Sequence, residues 1–197
     1  MIKKDYLKML NNLEQGEESV KPGQHDRVIF VDGLNLFLRN FAVLNFVNSS
    51  GNHIGGLAGF LRSLGALINQ IQPTTMYIVF DGVGASTNRR YLLPEYKSGR
   101  NTNRITNWDA FDDIDEENNS KIDQITRLIQ YLKCLPVKVV SIDKLEADDI
   151  IAYMSKDMAK RFNTKSYIVS SDKDFLQLVD DNITVYRPIE REFYDVA

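Results

Sequence analysis

The chain has 197 residues, 43% of them hydrophobic and 26% charged, which suits one domain with a substantial core. A single cysteine, Cys134, excludes an internal disulfide framework. No signal-peptide pattern opens the chain, and no apolar run approaches the roughly 20 residues that span a bilayer. The formal net charge of −3 argues weakly against a nucleic-acid partner. These features predict a cytoplasmic protein with no membrane partner.

The first 26 residues differ from the rest of the chain. Residues 3 to 14 have helical spacing, and residues 15 to 26, "QGEESVKPGQHD", are polar and contain glycine and proline. We therefore expect an N-terminal helical appendage and linker over residues 1–26, followed by one domain over residues 27–197.

The remaining chain alternates between two kinds of pattern. Short, β-branched, mostly apolar runs predict buried parallel strands at 27–32, 74–81, 135–143, 165–172 and 182–188. Helical spacing predicts helices at 35–46, 55–71, 119–133 and 146–161. Strands that alternate with helices indicate an α/β fold with a mostly parallel sheet and helices on both faces.

Residues 85 to 118 contain no strand-like run, and a segment of this length is long for a plain loop. The first part is basic, and its Arg89 and Arg90 are candidates for contact with backbone phosphates. The acidic residues at 109 to 117 are best interpreted as a solvated helix face. Repulsion of misplaced strands and binding of a basic partner are the alternatives for this acidic stretch.

Carboxylates recur where predicted strands end and helices begin. They are Asp32, Asp81, Glu146, Asp148, Asp149, Asp172 and Asp174. One aspartate at a strand end is usually a helix cap or a turn residue, but the carboxyl ends of parallel strands meet at one sheet edge. Glu146 either caps its helix with non-helical dihedrals, or not all three acids of "EADD" bind directly, because Asp148 lies about 200° around a regular helix from Glu146.

Hard oxygen donors favour Mg²⁺ or Mn²⁺ over Zn²⁺. The two histidines, His25 and His53, are too few and too isolated for a zinc site. Two such ions can support in-line hydrolysis of a phosphodiester without a histidine base or a nucleophilic serine. The carboxylates therefore predict a divalent-metal site of a kind that can support phosphodiester hydrolysis.

Five motifs carry a family resemblance: "VDGLN", "YIVFDG", "RRYLLPEYKSGR", "KLEADDIIA" and "VSSDKDFLQLV". In this order they resemble the nuclease domain of the flap endonuclease and 5′ to 3′ exonuclease superfamily, over about residues 27 to 187. The stretch before "VVSIDKLEADD" is most similar to the phage branch, represented by the ribonuclease H of T-even bacteriophages. The resemblance implies a PIN-like three-layer sandwich with an arch-like insertion at about residues 85–118.

The resemblance also implies roles for individual residues. It places Asp32, Asp81, Glu146 and Asp148 mainly at a first metal, and Asp149, Asp172 and Asp174 at a second metal or its water shell. Lys97 and Arg100 in "YKSGR" match the basic residues that reach the scissile phosphate, where a cation can offset developing charge. Tyr96 is a candidate for stacking on a terminal base, and we expect Arg39 to face the same cleft.

The resemblance implies removal of RNA primers or DNA flaps in replication, from or near a 5′ end. After residue 187 the superfamily normally continues into a helix-hairpin-helix region that this sequence does not show. The alternative is therefore a non-catalytic nucleic-acid-binding module, or a half-enzyme that needs a C-terminal segment on another chain. A single-strand-binding protein and a sliding clamp are further candidate partners.

Overall fold

A computed structural model of the protein describes residues 26–92, 95 and 104–196, with Asn88 and Leu92 described by their backbone alone. The predicted helix at residues 3 to 14 and nearly all of the predicted linker lie outside the described residues. None of the described helices is long and apolar enough to cross a membrane.

A six-stranded sheet forms the centre of the domain, with strand order β3-β2-β1-β4-β5-β6. The strands are β1 (Arg27–Asp32), β2 (Thr75–Asp81), β3 (Lys138–Ile142), β4 (Lys165–Val169), β5 (Ile183–Arg187) and β6 (Glu192–Tyr194). The first five pair in parallel, and β6 pairs antiparallel with β5. The predicted mostly parallel sheet is confirmed, and β6 is a strand that the sequence reading did not predict.

Helices cover both faces of this sheet. They are α1 (Gly33–Val43), α2 (Gly55–Ile71), α3 (Thr87–Leu92), α4 (Ile114–Leu132) and α5 (Ala147–Phe162), with a 3₁₀ helix at Lys173–Leu178. Along β1, Ile29 and Val31 pack in one core with α1, α2 and α4. Val28 and Phe30 pack in a second core with α5 and the 3₁₀ helix. Successive side chains of β1 therefore point to opposite faces of the sheet, and helices pack on both faces to form three layers.

Two helix boundaries differ from the predicted ones by three residues or more. Helix α4 begins at Ile114 rather than residue 119, because the Asp113 carboxylate accepts hydrogen bonds from the backbone N–H groups of Asp115 and Glu116. Helix α1 ends at Val43 rather than residue 46. The chain turns at Leu44 to pack its carbonyl against Gly55, where a Cβ atom would collide with that oxygen.

The acidic stretch at residues 109 to 117 is only partly the solvated helix face that we predicted. Asp109, Asp112, Asp113, Asp115 and Glu116 are exposed, but Glu117 is completely buried. One oxygen of Glu117 accepts hydrogen bonds from the backbone N–H groups of Thr106 and Asn107, at 2.8 Å each, and from the Thr106 hydroxyl. Lys121 donates to its other oxygen at 2.6 Å. Glu117 thus fastens the segment at residues 106 and 107 to α4.

The pKa of Glu117 reflects these bonds. Burial alone raises the pKa, but the hydrogen bonds from Lys121, Thr106 and Asn107 outweigh it and lower the pKa to about 2, from an ordinary value of 4.5. The ionised carboxylate therefore stabilises the folded state. That contribution is complete above pH 4.5 and is lost as the pH falls towards 2.

We expect Glu117→Gln to lower the free energy of unfolding at neutral pH by about 3 kcal/mol. The wild-type Glu117 carboxyl binds protons less tightly in the folded state than in the unfolded state, so its ionised form stabilises the fold, and glutamine lacks that contribution. Urea unfolding at neutral pH and at lower pH values checks this, with the exposed neighbour Glu116→Gln as the matched control. The difference between wild type and Glu117→Gln should shrink as the pH falls below 4.5. A difference that is independent of pH, or equal to that of the control, would contradict this account.

Candidate metal centre and nucleic-acid interface

The carboxyl edge of the sheet gathers the predicted acids from separate parts of the chain. Asp32 ends β1, Asp81 ends β2, and Asp172 follows β4. These three strands are neighbours in the sheet, with β1 between β2 and β4. Parallel pairing therefore places the three carboxylates at the same edge.

Asp32, at the end of β1, is a partly buried carboxylate whose pKa is raised above its ordinary value. Its oxygens accept hydrogen bonds from the Asn35 backbone N–H at 3.1 Å and from the Ser170 hydroxyl at 3.2 Å. Burial raises the pKa of Asp32 to about 6, the two hydrogen bonds oppose the rise, and repulsion from Asp81 and Asp148 adds to it. Burial is therefore the main reason why the pKa of this carboxyl is raised.

Asp81 positions the first turn of α5. Its Oδ1 accepts a hydrogen bond from the Ala147 backbone N–H at 2.7 Å. The next residue, Gly82, donates its N–H to the Leu145 carbonyl at 3.0 Å, and a Cβ atom at Gly82 would collide with the Ile142 carbonyl oxygen. The glycine of "FDG" thus allows the loop before α5 to approach β2 closely.

Glu146 lies at the N-cap of α5 with extended dihedrals, φ −80° and ψ 152°. The structure thus realises the first of the two arrangements left open by the sequence, in which Glu146 precedes the helix and need not follow its periodicity. Only 2% of Glu146 is exposed. Its neighbours Asp148 and Asp149 lie in the first turn of α5.

Asp172 and Asp174 approach the same region from the other side of β4. Asp172 caps the 3₁₀ helix and accepts a hydrogen bond from the Asp174 backbone N–H at 3.0 Å. A cleft of about 190 Å³ is lined by Asp148, Asp149, Asp172 and Asp174, together with Arg89. Four of the seven predicted carboxylates therefore surround one space.

Arg89 from α3 lies among the acids of α5. Its guanidinium bonds to Glu146 at 2.5 Å, to Asp149 at 2.6 Å and to Asp148 at 3.2 Å. Within the described part of the chain, no three or more histidine, cysteine, aspartate or glutamate side chains are arranged closely enough to hold a metal ion. The predicted phosphate ligand Arg89 therefore contacts carboxylates in this structure.

The donor chemistry of these residues suits a divalent cation. All of the candidate donors are carboxylate oxygens, which suits a hard ion. A cationic group, the Arg89 guanidinium, already lies between three of the acids. Asp32, Asp81, Glu146, Asp148, Asp149, Asp172 and Asp174 are the residues that could hold the metal.

A second cleft, of about 430 Å³, carries the opposite charge. Arg39 from α1, Arg62 from α2 and Arg191 from the β5–β6 turn line it. Burial lowers the pKa of Arg39, Glu190 opposes this, and the like charge of Arg191 lowers the pKa further. Among the described residues, no carboxylate lies within ion-pair distance of these three guanidinium groups. We call this cavity the arginine cleft.

The other predicted contacts with nucleic acid are placed differently. Arg39 lines the arginine cleft rather than the carboxylate-lined one. Arg90 is exposed on α3. Tyr96, Lys97 and Arg100 lie outside the described residues, so their predicted roles stay predictions.

Two residues that the sequence reading missed hold the acidic loops in place. Asn35 Oδ1 accepts hydrogen bonds from the Ser171 N–H at 3.1 Å and from its hydroxyl at 2.6 Å. Arg187, which is buried, donates to the Ser171 carbonyl at 3.3 Å and pairs with Glu190 at 2.7 Å. The signal for Asn35 was its place in "VDGLN"; no local pattern indicated Arg187.

Comparison with known proteins identifies the family of this chain and proteins with the same fold. Residues 27–197 match the family described as the 5′-3′ exonuclease, N-terminal resolvase-like domain. The chain belongs to this family of α/β proteins. It is 30% identical over 83% of its length to a 5′-3′ exonuclease of Buchnera aphidicola subsp. Acyrthosiphon pisum, and it spans 52% of that relative. It is 32% identical over 80% of its length to DNA polymerase I of Treponema pallidum, of which it spans 14%.

Solved structures show the same fold. A bacteriophage T5 5′-exonuclease with bound zinc superposes with a TM-score of 0.67 at 20% identity, covering 86% of this chain and 58% of that one. The T5 flap endonuclease in a complex with DNA and metal ions gives a TM-score of 0.66 at 17% identity, covering 86% and 57% of the two chains. The PIN-like fold is thus confirmed, and this chain spans about half the length of the 5′-3′ exonuclease that it matches.

We expect Asn35→Ala to lower the free energy of unfolding by about 1–2 kcal/mol, because it leaves the Ser171 donors without their acceptor. Urea unfolding measures the loss, and hydrogen exchange should show faster exchange of amides at residues 170 to 174. The exposed Asn118→Ala on α4 is the control. Unchanged exchange at those amides would show that Asn35 does not hold the loop.

Proposed function

We propose that this protein is a metal-dependent nuclease that hydrolyses phosphodiester bonds of nucleic acid from or near a 5′ end. The observation that carries the proposal is the convergence of acids from three neighbouring strands and the start of α5 at one sheet edge. The family match covers the residues that build this edge. DNA flaps, free 5′ ends and RNA primers paired with DNA are the proposed substrates, and the cytoplasm is the proposed location.

The seven carboxylates would hold two ions, Mg²⁺ or Mn²⁺. When bound, such ions supply the Lewis acidity that in-line phosphodiester hydrolysis requires. Asp32, Asp81, Glu146 and Asp148 are proposed for the first ion, and Asp149, Asp172 and Asp174 for the second or its water shell. Zinc bound to the T5 5′-exonuclease supports a divalent site, while the oxygen-only donor set here favours the harder ions.

The basic residues would bind the phosphates. Lys97 and Arg100 are proposed to contact the scissile phosphate, Tyr96 to stack on the terminal base, and Arg90 to bind the backbone. The arginine cleft flanks the edge, because Arg39 lies one helical turn after Asn35. Its guanidinium groups, which have no carboxylate within ion-pair distance among the described residues, suit phosphate oxygens. Nucleic acid that lies along this cleft would approach the carboxylates from the α1 side.

Known relatives indicate the biological setting. The similarity to DNA polymerase I supports a role in replication. The complex of the T5 flap endonuclease with DNA and metal ions supports a DNA substrate. A partner C-terminal segment, a single-strand-binding protein and a sliding clamp stay predictions.

We expect the folded protein to cleave a 5′-flap duplex or an RNA-primed duplex in Mg²⁺ and not in EDTA. Asp81→Asn should reduce the cleavage rate by at least about a hundredfold, because it removes a metal-binding charge while keeping an oxygen for the Ala147 N–H. The matched control is Asp123→Asn, an exposed acid on α4. A time course with 5′-labelled substrate measures both rates.

The result separates the proposal from its alternative. Cleavage that survives Asp81→Asn would show that the metal assignment is wrong. Binding of the duplex by folded protein without any cleavage would favour the non-catalytic module or the half-enzyme that needs a further segment.

We expect Arg62→Gln to weaken binding of a 5′-flap duplex, because it removes one phosphate contact in the arginine cleft. The slope of the logarithm of affinity against the logarithm of salt concentration should become shallower by about 1. Fluorescence anisotropy in EDTA measures binding without cleavage, and Arg127→Gln on the exposed face of α4 is the control. Equal slopes for the two variants would place the duplex elsewhere.

A further inference from the structure

The Arg89 guanidinium forms ion pairs with three carboxylates at once. One nitrogen lies 2.5 Å from Glu146 Oε2 and 3.2 Å from Asp148 Oδ2, and the other lies 2.6 Å from Asp149 Oδ1 and 3.4 Å from Asp148 Oδ1. All three acids are among the proposed metal ligands. Arg89 thus uses the same lone pairs that a cation at this edge would need.

Glu146 requires such a positive partner. Its side chain is only 3% exposed, and an ionised carboxylate that is buried without compensating charge is strongly destabilising. Arg89 supplies that charge in this structure. A divalent ion bound by Glu146 would supply the positive charge in place of Arg89.

Arg89 contacts the acids from the surface and does not belong to either hydrophobic core. Its side chain is 34% exposed, and it belongs to α3, which the structure describes over residues 87–92. The acids that it contacts lie on α5, whose first turn is fixed by the Asp81 hydrogen bond to Ala147. Glu146 is therefore the buried member of this contact, whereas Arg89, Asp148 and Asp149 are all reached by solvent.

We propose that Arg89 is an exchangeable counter-cation, which pairs with Glu146, Asp148 and Asp149 when no metal is bound and is released towards a substrate phosphate when the metal binds. This inference rests on the metal site of the proposed function. Arg89 is then a positioning residue that links metal binding to phosphate binding. Because the coupling is reciprocal, a phosphate that engages Arg89 also tightens metal binding.

A permanent structural ion pair makes the opposite prediction. If Arg89 keeps the acids in a binding arrangement, its removal weakens metal binding or leaves it unchanged. If Arg89 competes with the metal, its removal strengthens metal binding. The sign of the change therefore separates the two roles.

The test is isothermal titration calorimetry, in which Mn²⁺ is added to the protein without nucleic acid and the Mn²⁺ affinity is measured. We expect Arg89→Gln to bind Mn²⁺ at least about fivefold more tightly than wild type, the lower end of typical coupling between sites. Arg89→Lys keeps a competing positive charge and should lie closer to wild type. Arg127→Gln, which removes an exposed arginine from α4, should match wild type in Mn²⁺ affinity.

Asp148→Asn distinguishes the two possible failures. If wild type binds Mn²⁺ and Asp148→Asn binds it more weakly, the metal site stands; equal or weaker binding by Arg89→Gln would then overturn the exchange alone. If wild type binds no Mn²⁺, both the metal site and the exchange are wrong.

A second measurement uses the wild type, in case Arg89→Gln does not fold. The side-chain NMR signal of Arg89, assigned by its absence in Arg89→Lys, should shift on addition of Mg²⁺ as the guanidinium leaves the carboxylates. A signal that does not change at saturating Mg²⁺ would overturn the exchange.

Discussion

Repulsion between carboxylates at the sheet edge is the constraint on which the rest of this structure depends. Parallel strands bring Asp32, Asp81 and Asp172 together whether or not their charges are balanced, and burial makes the imbalance costly at Asp32 and Glu146. Three kinds of donor offset the negative charge of these carboxylates: backbone N–H groups at helix starts, the Ser170 hydroxyl and the Arg89 guanidinium. The topology therefore assembles the site, and these described groups offset part of its negative charge.

Helix capping and metal binding are compatible roles for the same carboxylates. Asp32, Asp81 and Asp172 each accept a hydrogen bond from a backbone N–H at or near the start of a helix. Such a bond orients the carboxylate and leaves further lone pairs available to a ligand. An aspartate at a strand end is usually a cap, and here that ordinary role also prepares the geometry that a metal needs. Glu146 differs, because it occupies a cap position but its side chain makes no capping bond.

Periodicity and strand-end position predicted the parallel sheet, the two faces of helices and the shared edge. These features follow from local patterns of apolar residues and from the rule that parallel strands align their carboxyl ends. Residues whose partners are distant in sequence escaped this reasoning. Arg89 meets Glu146 across 57 residues, and Glu117 is buried only because residues 106 and 107 fold back onto α4. Strand β6 has three residues, too few for its alternation to be recognised.

The arginines around the edge divide by whether the protein neutralises them. Arg187 pairs with Glu190 and holds the Ser171 carbonyl, so it serves the fold. Arg39, Arg62 and Arg191 face one cleft and have no carboxylate within ion-pair distance among the described residues; burial lowers the pKa of Arg39, and the charge of Glu190 opposes this. The described carboxylates and arginines thus line two clefts, one mainly acidic and one basic. In the proposed function, divalent ions balance the first and phosphates balance the second, which is why the net charge of −3 says little about what this protein binds.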